Sequence, residues 1–289
     1  MNNNNIKKLR KLTILSISGI VLITAIFSGC VENGKEGLTI VVVGRDSASG
    51  TREFFWEHVM EKEDFVATML EKNSNGGVYQ TVSQTEGAIG YVGLGYLDNK
   101  VKALKIDEID ANVDNVISGD YPIARNLNMF TNGAPTGIAE EFLKYIDSEE
   151  GQEIVNNEGF VPKTNTGPYN AVEGLSGTIN IVGSTTVLPI AEKAAEEFNK
   201  IYSDVTVTVS GGGSSVGVQS AGEDTADIGM ASRELKSTEE ANYPNLVKHV
   251  VCSDGIAIIV HPSNNYVDSL TVEQVKSIYQ GTFTNWNEL

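Results

Sequence analysis

The chain has 289 residues, of which 40% are hydrophobic, and 38 acidic residues against 21 lysines and arginines give it a formal net charge of −17. This length and apolar content are typical of a globular protein with one large domain or two lobes, each with its own core. The excess of negative charge argues strongly against nucleic acid or an acidic lipid surface as a partner.

The N-terminus has the features of a lipoprotein signal. Four basic residues between positions 7 and 11 precede an apolar run over 12–27, and Ser28, Gly29 and Cys30 follow. This order predicts a signal segment over 1–29, lipid attachment at Cys30 and a tether over 30–37. The alternative is an uncleaved membrane helix, because the run is near the lower length limit for a span. In both cases we expect the protein at the cell surface or in the periplasm, anchored to the outer face of the cytoplasmic membrane.

Loss of residues 1–29 would change the net charge from −17 to −21, because that segment carries four basic and no acidic residues. An anion ligand would then have to be bound by local dipoles and arginines against the overall field. Cys252 is the only cysteine besides Cys30 and lies in an apolar run. We therefore expect no internal disulfide if Cys30 is lipidated, and a core position for Cys252.

The stretch over residues 39–56, TIVVVGRDSASGTREFFW, predicts a buried strand, a turn of small hydroxyl residues and a helix. A helix N-terminus presents unpaired N–H groups and a partial positive charge, so such a turn can bind an anion. Gly50 would let the anion approach the backbone, and Ser49 and Thr51 would add hydroxyl donors. Arg45 would supply a bidentate charge. The alternative is an ordinary capped helix without a ligand.

Two of the turns resemble nucleotide-binding loops only superficially. The first has one residue too many between its glycines for a Walker A loop, and no lysine follows Gly50. In GGGSSVG at 211–217, Val216 stands where the dinucleotide fingerprint has its last glycine. Nucleotide, nicotinamide and flavin binding are therefore disfavoured.

Further elements follow in order. The glycine-rich segment over 85–96 predicts a strand packed closely against another backbone or crossing between lobes. One or two helices are expected over 53–73, with a break at 73–77. The polar segment over 163–177 is the best candidate for a linker. After it, strand, hydroxyl turn and helix recur twice, with Thr185 and Thr186 in the first turn and Ser214 in the second.

In the last part of the chain, the pattern ADIGMAS predicts a strand at 226–232, which ends at Ser232 and is followed by a polar turn with Arg233. Two strands, at 246–252 and 256–260, are expected on either side of Asp254, and a helix at 271–279. Three strand-to-helix turns with hydroxyl residues are more than helix capping alone explains. Asp254 is either a residue of an anion site or a turn residue that bonds local N–H groups.

The segments GSTTVLPIAEKAAEEF, GGGSSVG, ADIGMASREL, SDGIAIIVHPSN, VVVGRDSASGTREFF and GAIGYVGLGY resemble the phosphate-binding subunit of phosphate ABC transporters. The resemblance covers nearly all of residues 38–289. It implies a two-lobed, periplasmic-binding-protein-like α/β fold with two hinge crossovers, in which each lobe is a mainly parallel sheet flanked by helices. In the family the GSTT segment comes first, so the chain resembles a circular permutant.

The permuted order implies how the lobes are built. One lobe would come from both ends of the exported chain, over 38–96 and 256–289, and the other would be contiguous over 97–255. The linker at 163–177 would then join the ends that the family leaves free.

The resemblance also implies the residues that contact phosphate. They are Arg45, Ser49, Gly50, Thr51, Thr185, Thr186 and Ser214. Some family members have an aspartate where this chain has Ser232, and that carboxylate accepts the proton of hydrogenphosphate. A hydroxyl there repels sulfate less, so selectivity for phosphate is less secure. Asp254 is a possible substitute acceptor, and Arg233 either approaches the anion or is an exposed turn residue.

The function that the resemblance implies is extracytoplasmic binding of inorganic phosphate and its delivery to the permease subunits of an ABC transporter, by a monomer without cofactor or metal. One alternative is binding of sulfate or another tetrahedral oxyanion. Another is an inactive fragment of a tandem protein, in which Trp286 would lack its partners. A hydrolase is disfavoured, because His58, His249 and His261 have no motif around them.

Overall fold

The computed structural model describes residues 37–289, which form one compact unit. The predicted signal segment over 1–29, the lipid attachment at Cys30 and the tether before residue 37 lie outside the described residues. Within the described part of the chain, no helix has the length and apolar character that crossing a membrane requires.

Strands and helices alternate along the described residues. The strands are β1 (Val41–Arg45), β2 (Leu70–Lys72), β3 (Ala88–Gly93), β4 (Lys102–Ala103), β5 (Lys105–Ile106), β6 (Ala124–Asn132), β7 (Gly177–Gly183), β8 (Val205–Gly211), β9 (Ile228–Ala231), β10 (Leu246–Val260) and β11 (Ser269–Leu270). The helices are α1 (Gly50–His58), α2 (Asn75–Gln84), α3 (Val113–Ser118), α4 (Gly137–Ile146), α5 (Glu149–Asn157), α6 (Leu188–Ile201), α7 (Ser214–Gly222), α8 (Ser237–Asn242) and α9 (Val272–Gln280).

One sheet runs through the described residues in the order β2-β1-β3-β10-β6-β9-β7-β8, with β4 also paired to β10. The pairs β1–β2, β1–β3, β7–β8 and β7–β9 are parallel. Every antiparallel pair involves β6 or β10. Strands β1, β7 and β8 are each followed by a helix, α1, α6 and α7 respectively. This order is typical of doubly wound α/β lobes.

Within the described residues, two large hydrophobic cores pack against this sheet, and a small third cluster lies around Phe130 and Val218. The first core is formed mainly by residues from 40–123 and 256–286, and we call that part of the chain the first lobe. The second core is formed by residues from 127–252, which we call the second lobe. The chain passes between the lobes twice, at 124–126 in β6 and at 254–256 in β10, where Ala124 pairs with Gly255. These neighbouring antiparallel strands are the two crossovers.

The boundary between the cores differs from the predicted one. Val101, Leu104 and Ile106 pack in the first core, whereas the sequence predicts residues 97–123 in the contiguous lobe. The reason is strand pairing, because β4 pairs with β10 and β5 pairs with β11. The bounds of the two domains stay a prediction, since residues 37–289 form one compact unit.

The predicted linker has no helix or strand before β7 begins at Gly177, yet side chains hold it against the second lobe. The Tyr169 hydroxyl lies 2.7 Å from that of Tyr202 at the end of α6, and the Glu149 main-chain N–H donates to the Gly167 carbonyl at 2.9 Å. The segment therefore follows one defined path from α5 to β7.

The two ends of the described chain meet. The Trp286 main-chain N–H donates to the Leu38 carbonyl at 2.9 Å, and Thr39 forms an isolated antiparallel bridge with Asn285. The Trp286 side chain is fully buried, and its indole N–H donates to the Gly87 carbonyl at 3.0 Å. Trp286 thus has its packing partners within this chain.

Candidate functional site

Four strand-to-helix turns meet at the interface of the two lobes. The first lobe contributes the turns before α1 and α2, and the second lobe contributes those before α6 and α7. Ser49 caps α1 by accepting from the Arg52 N–H, and Ser74 caps α2 by accepting from the Gly77 N–H. Helices α6 and α7 begin without a side-chain cap. At the start of α6 the Leu188 N–H donates to the Ser184 carbonyl at 3.0 Å, and the second residue, Pro189, has no N–H.

Hydroxyl groups from opposite lobes are in direct contact at this place. Thr51 Oγ1 lies 3.1 Å from Thr186 Oγ1, and both side chains are buried. A Cβ atom added to Gly50 would lie 2.2 Å from Ser214 Oγ and 2.9 Å from Ser232 Oγ. Only glycine therefore permits this approach of α1 to the second lobe.

Ser232 belongs to the same cluster. Its main-chain N–H donates to Ser214 Oγ at 3.0 Å, and the two hydroxyl oxygens lie 3.3 Å apart. Ser232 is 1% exposed and Ser214 is fully buried. The structure thus brings Ser232 to the hydroxyl cluster, as the position of the substituted aspartate predicts.

Arg45 is fixed by the turn that precedes α2. Its Nε donates to the Lys72 carbonyl and its Nη2 to the Asn73 carbonyl, each at 3.2 Å. Its main-chain N–H donates to the Tyr91 hydroxyl at 3.1 Å. Burial lowers the pKa of Arg45 and raises that of Tyr91 to about 12. The remaining guanidinium nitrogen, Nη1, is the one that faces the cluster beside Asn75.

Asn75, the first residue of α2, lies between donors of both lobes and is fully buried. In the amide orientation that satisfies its neighbours, Oδ1 accepts from Arg45 Nη1 at 3.2 Å and from the Thr186 main-chain N–H at 3.3 Å. The same oxygen accepts from the hydroxyls of Thr185 at 3.2 Å and Thr186 at 2.8 Å. Its main-chain N–H donates to Thr185 Oγ1 at 3.4 Å.

A buried ion pair lies at the crossover, next to the cluster. Arg125 Nη2 is 3.0 Å from Asp254 Oδ2, and the two side chains are 1% and 0% exposed. Arg125 Nη1 donates to the Ser232 carbonyl at 3.0 Å, and Nη2 donates to Thr186 Oγ1 at 3.4 Å. Asp254 Oδ1 accepts the Leu94 N–H at 3.0 Å. The pair therefore connects both lobes to the hydroxyl cluster.

Burial determines the ionisation of this pair. Burial raises the pKa of the Asp254 carboxyl, and the charge of Arg125 acts against that rise. Burial likewise lowers the pKa of Arg125, and Asp254 opposes it. Asp254 lies within the continuous strand β10, so its interpretation as a turn residue between two strands is wrong.

Arg233 is directed toward other partners. Its guanidinium forms a bidentate ion pair with Glu239, with both N–O distances 2.7 Å, and Nη2 also donates to Ser215 Oγ at 3.1 Å. The side chain is 4% exposed, so it is not an exposed turn residue. It holds α8 against the start of α7.

The first-lobe and second-lobe turns make two further contacts beside the cluster. The Ser215 main-chain N–H donates to the Ala48 carbonyl at 3.1 Å. Lys236 Nζ lies 2.9 Å from Glu53 Oε2, and this ion pair is partly exposed. Within residues 37–289, no group of three or more His, Cys, Asp or Glu side chains is placed to hold a metal ion.

Most of the predicted site residues are brought together, and two neighbours were not predicted. Arg45, Gly50, Thr51, Thr185, Thr186, Ser214 and Ser232 all line the cluster. The Ser49 side chain caps α1. Asn75 and Arg125 were missed. The signal for Asn75 was a further turn with serine and glycine, KNSNGG at 72–77. A lone arginine within a predicted strand was the signal for Arg125.

Known proteins share this sequence and fold. The family model described as PBP superfamily domain matches residues 22–150 and 170–289. Phosphate-binding protein PstS 2 of Streptococcus agalactiae is 37% identical over 295 residues, which cover 98% of this chain and 99% of that protein. Phosphate-binding protein PstS of Bacillus subtilis is 39% identical over 145 residues, which cover 48% of each chain.

A solved structure agrees with the architecture. The phosphate-binding protein of a phosphate ABC transporter from Streptococcus pneumoniae TIGR4 has a TM-score of 0.70 and 35% identity, covering 86% of this chain and 99% of that one. This likeness confirms the predicted two-lobed α/β fold. By the family model and by identity to a relative of equal length, the chain belongs to the PstS family of phosphate-binding proteins, within the PBP superfamily.

Proposed function

We propose that the protein binds inorganic phosphate outside the cytoplasm and delivers it to the permease subunits of an ABC transporter. The observation that carries this proposal is the meeting of buried hydroxyls from the turns of both lobes, in which Thr51 and Thr186 are in direct contact. Family membership supports it, because the full-length relative is named a phosphate-binding protein. Its relatives are binding proteins and not enzymes, and the proposed function involves no covalent chemistry.

Binding would exchange the hydration shell of the anion for protein donors. Main-chain N–H groups of the turns before α6 and α7, that of Thr186 among them, and hydroxyls from three turns take the place of water. The Arg45 guanidinium supplies positive charge and presents Nη1 to the anion, since its Nε and Nη2 donate to main-chain carbonyls. These local groups act against the formal net charge of −17.

Closure follows from the two crossovers. Thr51 and Gly50 belong to the first lobe, and Thr186, Ser214 and Ser232 belong to the second, so the donor set is complete only when the lobes meet. Bending of β6 and β10 at their crossover would open it. We propose that the closed form of the protein docks on the permease.

Selectivity for phosphate over sulfate requires an acceptor for the proton of hydrogenphosphate. Asp254 does not supply the acceptor for a phosphate proton in our proposal, because both of its oxygens accept from Arg125 or Leu94. Ser232 is the remaining candidate, through its hydroxyl. Binding of sulfate or another tetrahedral oxyanion is therefore the second candidate function.

We infer further that the two halves stand in permuted order relative to other family members. The match to the relative from Bacillus subtilis is confined to 48% of each chain, which a permuted order would produce. Full collinearity with the relative from Streptococcus agalactiae indicates that both share one order. The contact of Trp286 with Leu38 supports the inference, because a family loop would join the chain there.

The proposal includes attachment to the outer face of the cytoplasmic membrane through a lipid on Cys30 or an uncleaved N-terminal helix. The mass of the purified protein distinguishes these two anchors. We propose a monomer, which gel filtration tests together with the alternative of a fragment that must pair with another copy.

Calorimetric titration of the purified chain with phosphate and then sulfate tests the function. Tight one-to-one binding of phosphate by a monomer is expected. Equal affinity for sulfate would favour the broader oxyanion function, and no binding of either anion would refute both.

A further inference from the structure

We propose that Asn75 is a binding residue of the anion site, in which its amide alternates between two orientations. With its oxygen inward it accepts from the donors of both lobes, and with its nitrogen inward it donates to the bound anion. This inference rests on the proposed function and adds to it a fourth turn and a residue that the hydroxyl motifs do not contain.

The position of the amide is the first argument. Arg45 Nη1 from the first lobe and the Thr186 N–H from the second lobe point at one atom, Asn75 Oδ1, at 3.2 and 3.3 Å. These two donors are the ones that the proposed function assigns to an anion. The amide oxygen therefore lies where an oxygen of a tetrahedral anion would compete for the same hydrogens.

The chemistry of the side chain is the second argument. The amide oxygen is an acceptor and the amide NH₂ group is a donor, and the two groups are nearly equal in size. A half-turn about the last side-chain bond therefore exchanges acceptor and donor without moving the backbone. When an anion takes the hydrogens of Arg45 and Thr186, an inward amide oxygen would face negative charge. An inward NH₂ group would instead add a hydrogen bond to the anion.

Helix α2 supplies the third argument. Its N-terminus holds Asn75 rigidly, since Ser74 caps the helix and the Asn75 N–H donates to Thr185 Oγ1. The Asn75 side chain is fully buried, so water cannot take the place of its amide oxygen or its NH₂ group as a hydrogen-bond partner. The partial positive charge at the start of α2 favours an anion at this place as well.

The replacement Asn75→Asp separates this role from a structural one. A carboxylate keeps the shape and all acceptor contacts of the inward oxygen but cannot turn a donor toward the anion. We expect the thermal midpoint to be unchanged or higher, while phosphate affinity falls by about 100-fold or more, because a fixed negative charge opposes the ligand. Asn75→Ser, which is smaller and uncharged, should lose about ten-fold.

Asn264→Asp is the matched control, because Asn264 is equally buried and its Oδ1 accepts from the main-chain N–H groups of Tyr266 and Val267, away from the cluster. It adds the same charge to the full chain and should leave phosphate affinity within about two-fold. Calorimetry and thermal unfolding are measured for all four proteins. Unchanged affinity of folded Asn75→Asp or Asn75→Ser would overturn the role of Asn75, whereas a wild-type protein that binds no phosphate would refute the proposed function itself.

Discussion

The ion pair of Arg125 and Asp254 is a residue-scale feature that we expect to matter for stability but not for anion selectivity. Replacement of Asp254 by Asn removes the charge that compensates a fully buried guanidinium. We expect Asp254→Asn to lower the free energy of unfolding by about 3 kcal/mol, as measured by denaturant titration. Because both oxygens of Asp254 are already hydrogen-bonded within the protein, we expect the ratio of phosphate to sulfate affinity to stay the same.

The double replacement Arg125→Met with Asp254→Leu is the control for this prediction. It removes both charges, so it should cost less stability than Asp254→Asn alone. A change in anion preference with little loss of stability would contradict our interpretation, and would make Asp254 an acceptor for the phosphate proton.

The sequence predicted the site residues that lie in repeated motifs and missed those that stand alone. Gly50, Thr51, Thr186 and Ser214 were predicted from three similar turns. Asn75 was missed because NSNGG at 73–77 was interpreted as a break that ends the helices predicted over 53–73. In the structure β2 precedes it and pairs with β1, a contact between distant residues that local pattern does not reveal.

At the scale of elements, the close approach of α1 to α7 depends on a glycine at the first position of α1. A Cβ at Gly50 would lie 2.2 Å from Ser214 Oγ and 2.8 Å from Ser214 Cβ, so the lobes could not meet as they do. We expect Gly50→Ala to weaken phosphate binding by about 100-fold in calorimetry, an effect of a few kcal/mol that is typical of overpacking.

Gly76→Ala is the matched control for Gly50→Ala. Gly76 also lies in the first turn of a helix near the site, but a Cβ there would have no atom within 4 Å. Alanine favours a helix by about 1 kcal/mol over glycine, so this variant should be as stable as wild type or slightly more stable. Normal phosphate binding by Gly50→Ala would show that the lobes need not approach this closely.

The elements themselves were largely predictable, with instructive exceptions. Strands β1, β3 and β7 and helices α4, α6 and α9 follow from apolar periodicity. The sequence predicts one or two helices over 53–73, but α1 ends at His58 and β2 occupies Leu70–Lys72. The sequence also predicts two strands around Asp254, where β10 is continuous, because the charge of Asp254 is compensated by a residue on the neighbouring strand.

At the scale of the whole molecule, the proximity of the chain ends predicts that the order of the halves can be reversed. A variant would join Leu289 to Gly37 by a short flexible linker and open the chain between 165 and 175. Since the Trp286 and Leu38 backbones already touch, the new connection is short and costs little entropy. We expect a monomer with phosphate affinity within about three-fold of the natural order, because a loop of this kind changes stability slightly.

A second variant with the same new connection but opened inside α6, between 194 and 195, is the control. Ala194 and Ala195 are buried in the second core, so this break should abolish folding. If the first variant were dimeric or failed to bind phosphate, the inference of a permuted order would lose its support.

The position of β10 in the chain also determines when the protein can fold. Its first part pairs with β6 in the second lobe and its last part pairs with β3 in the first. The second core therefore lacks a central strand until residues 246–255 are made, and the first core until Val260 is available. In many proteins an N-terminal domain folds during synthesis while the rest is still being made. Here neither lobe can close early, and the long separation between β3 and β10 makes their pairing slow. We therefore expect the two lobes to acquire their structure together, only after β10 has been made.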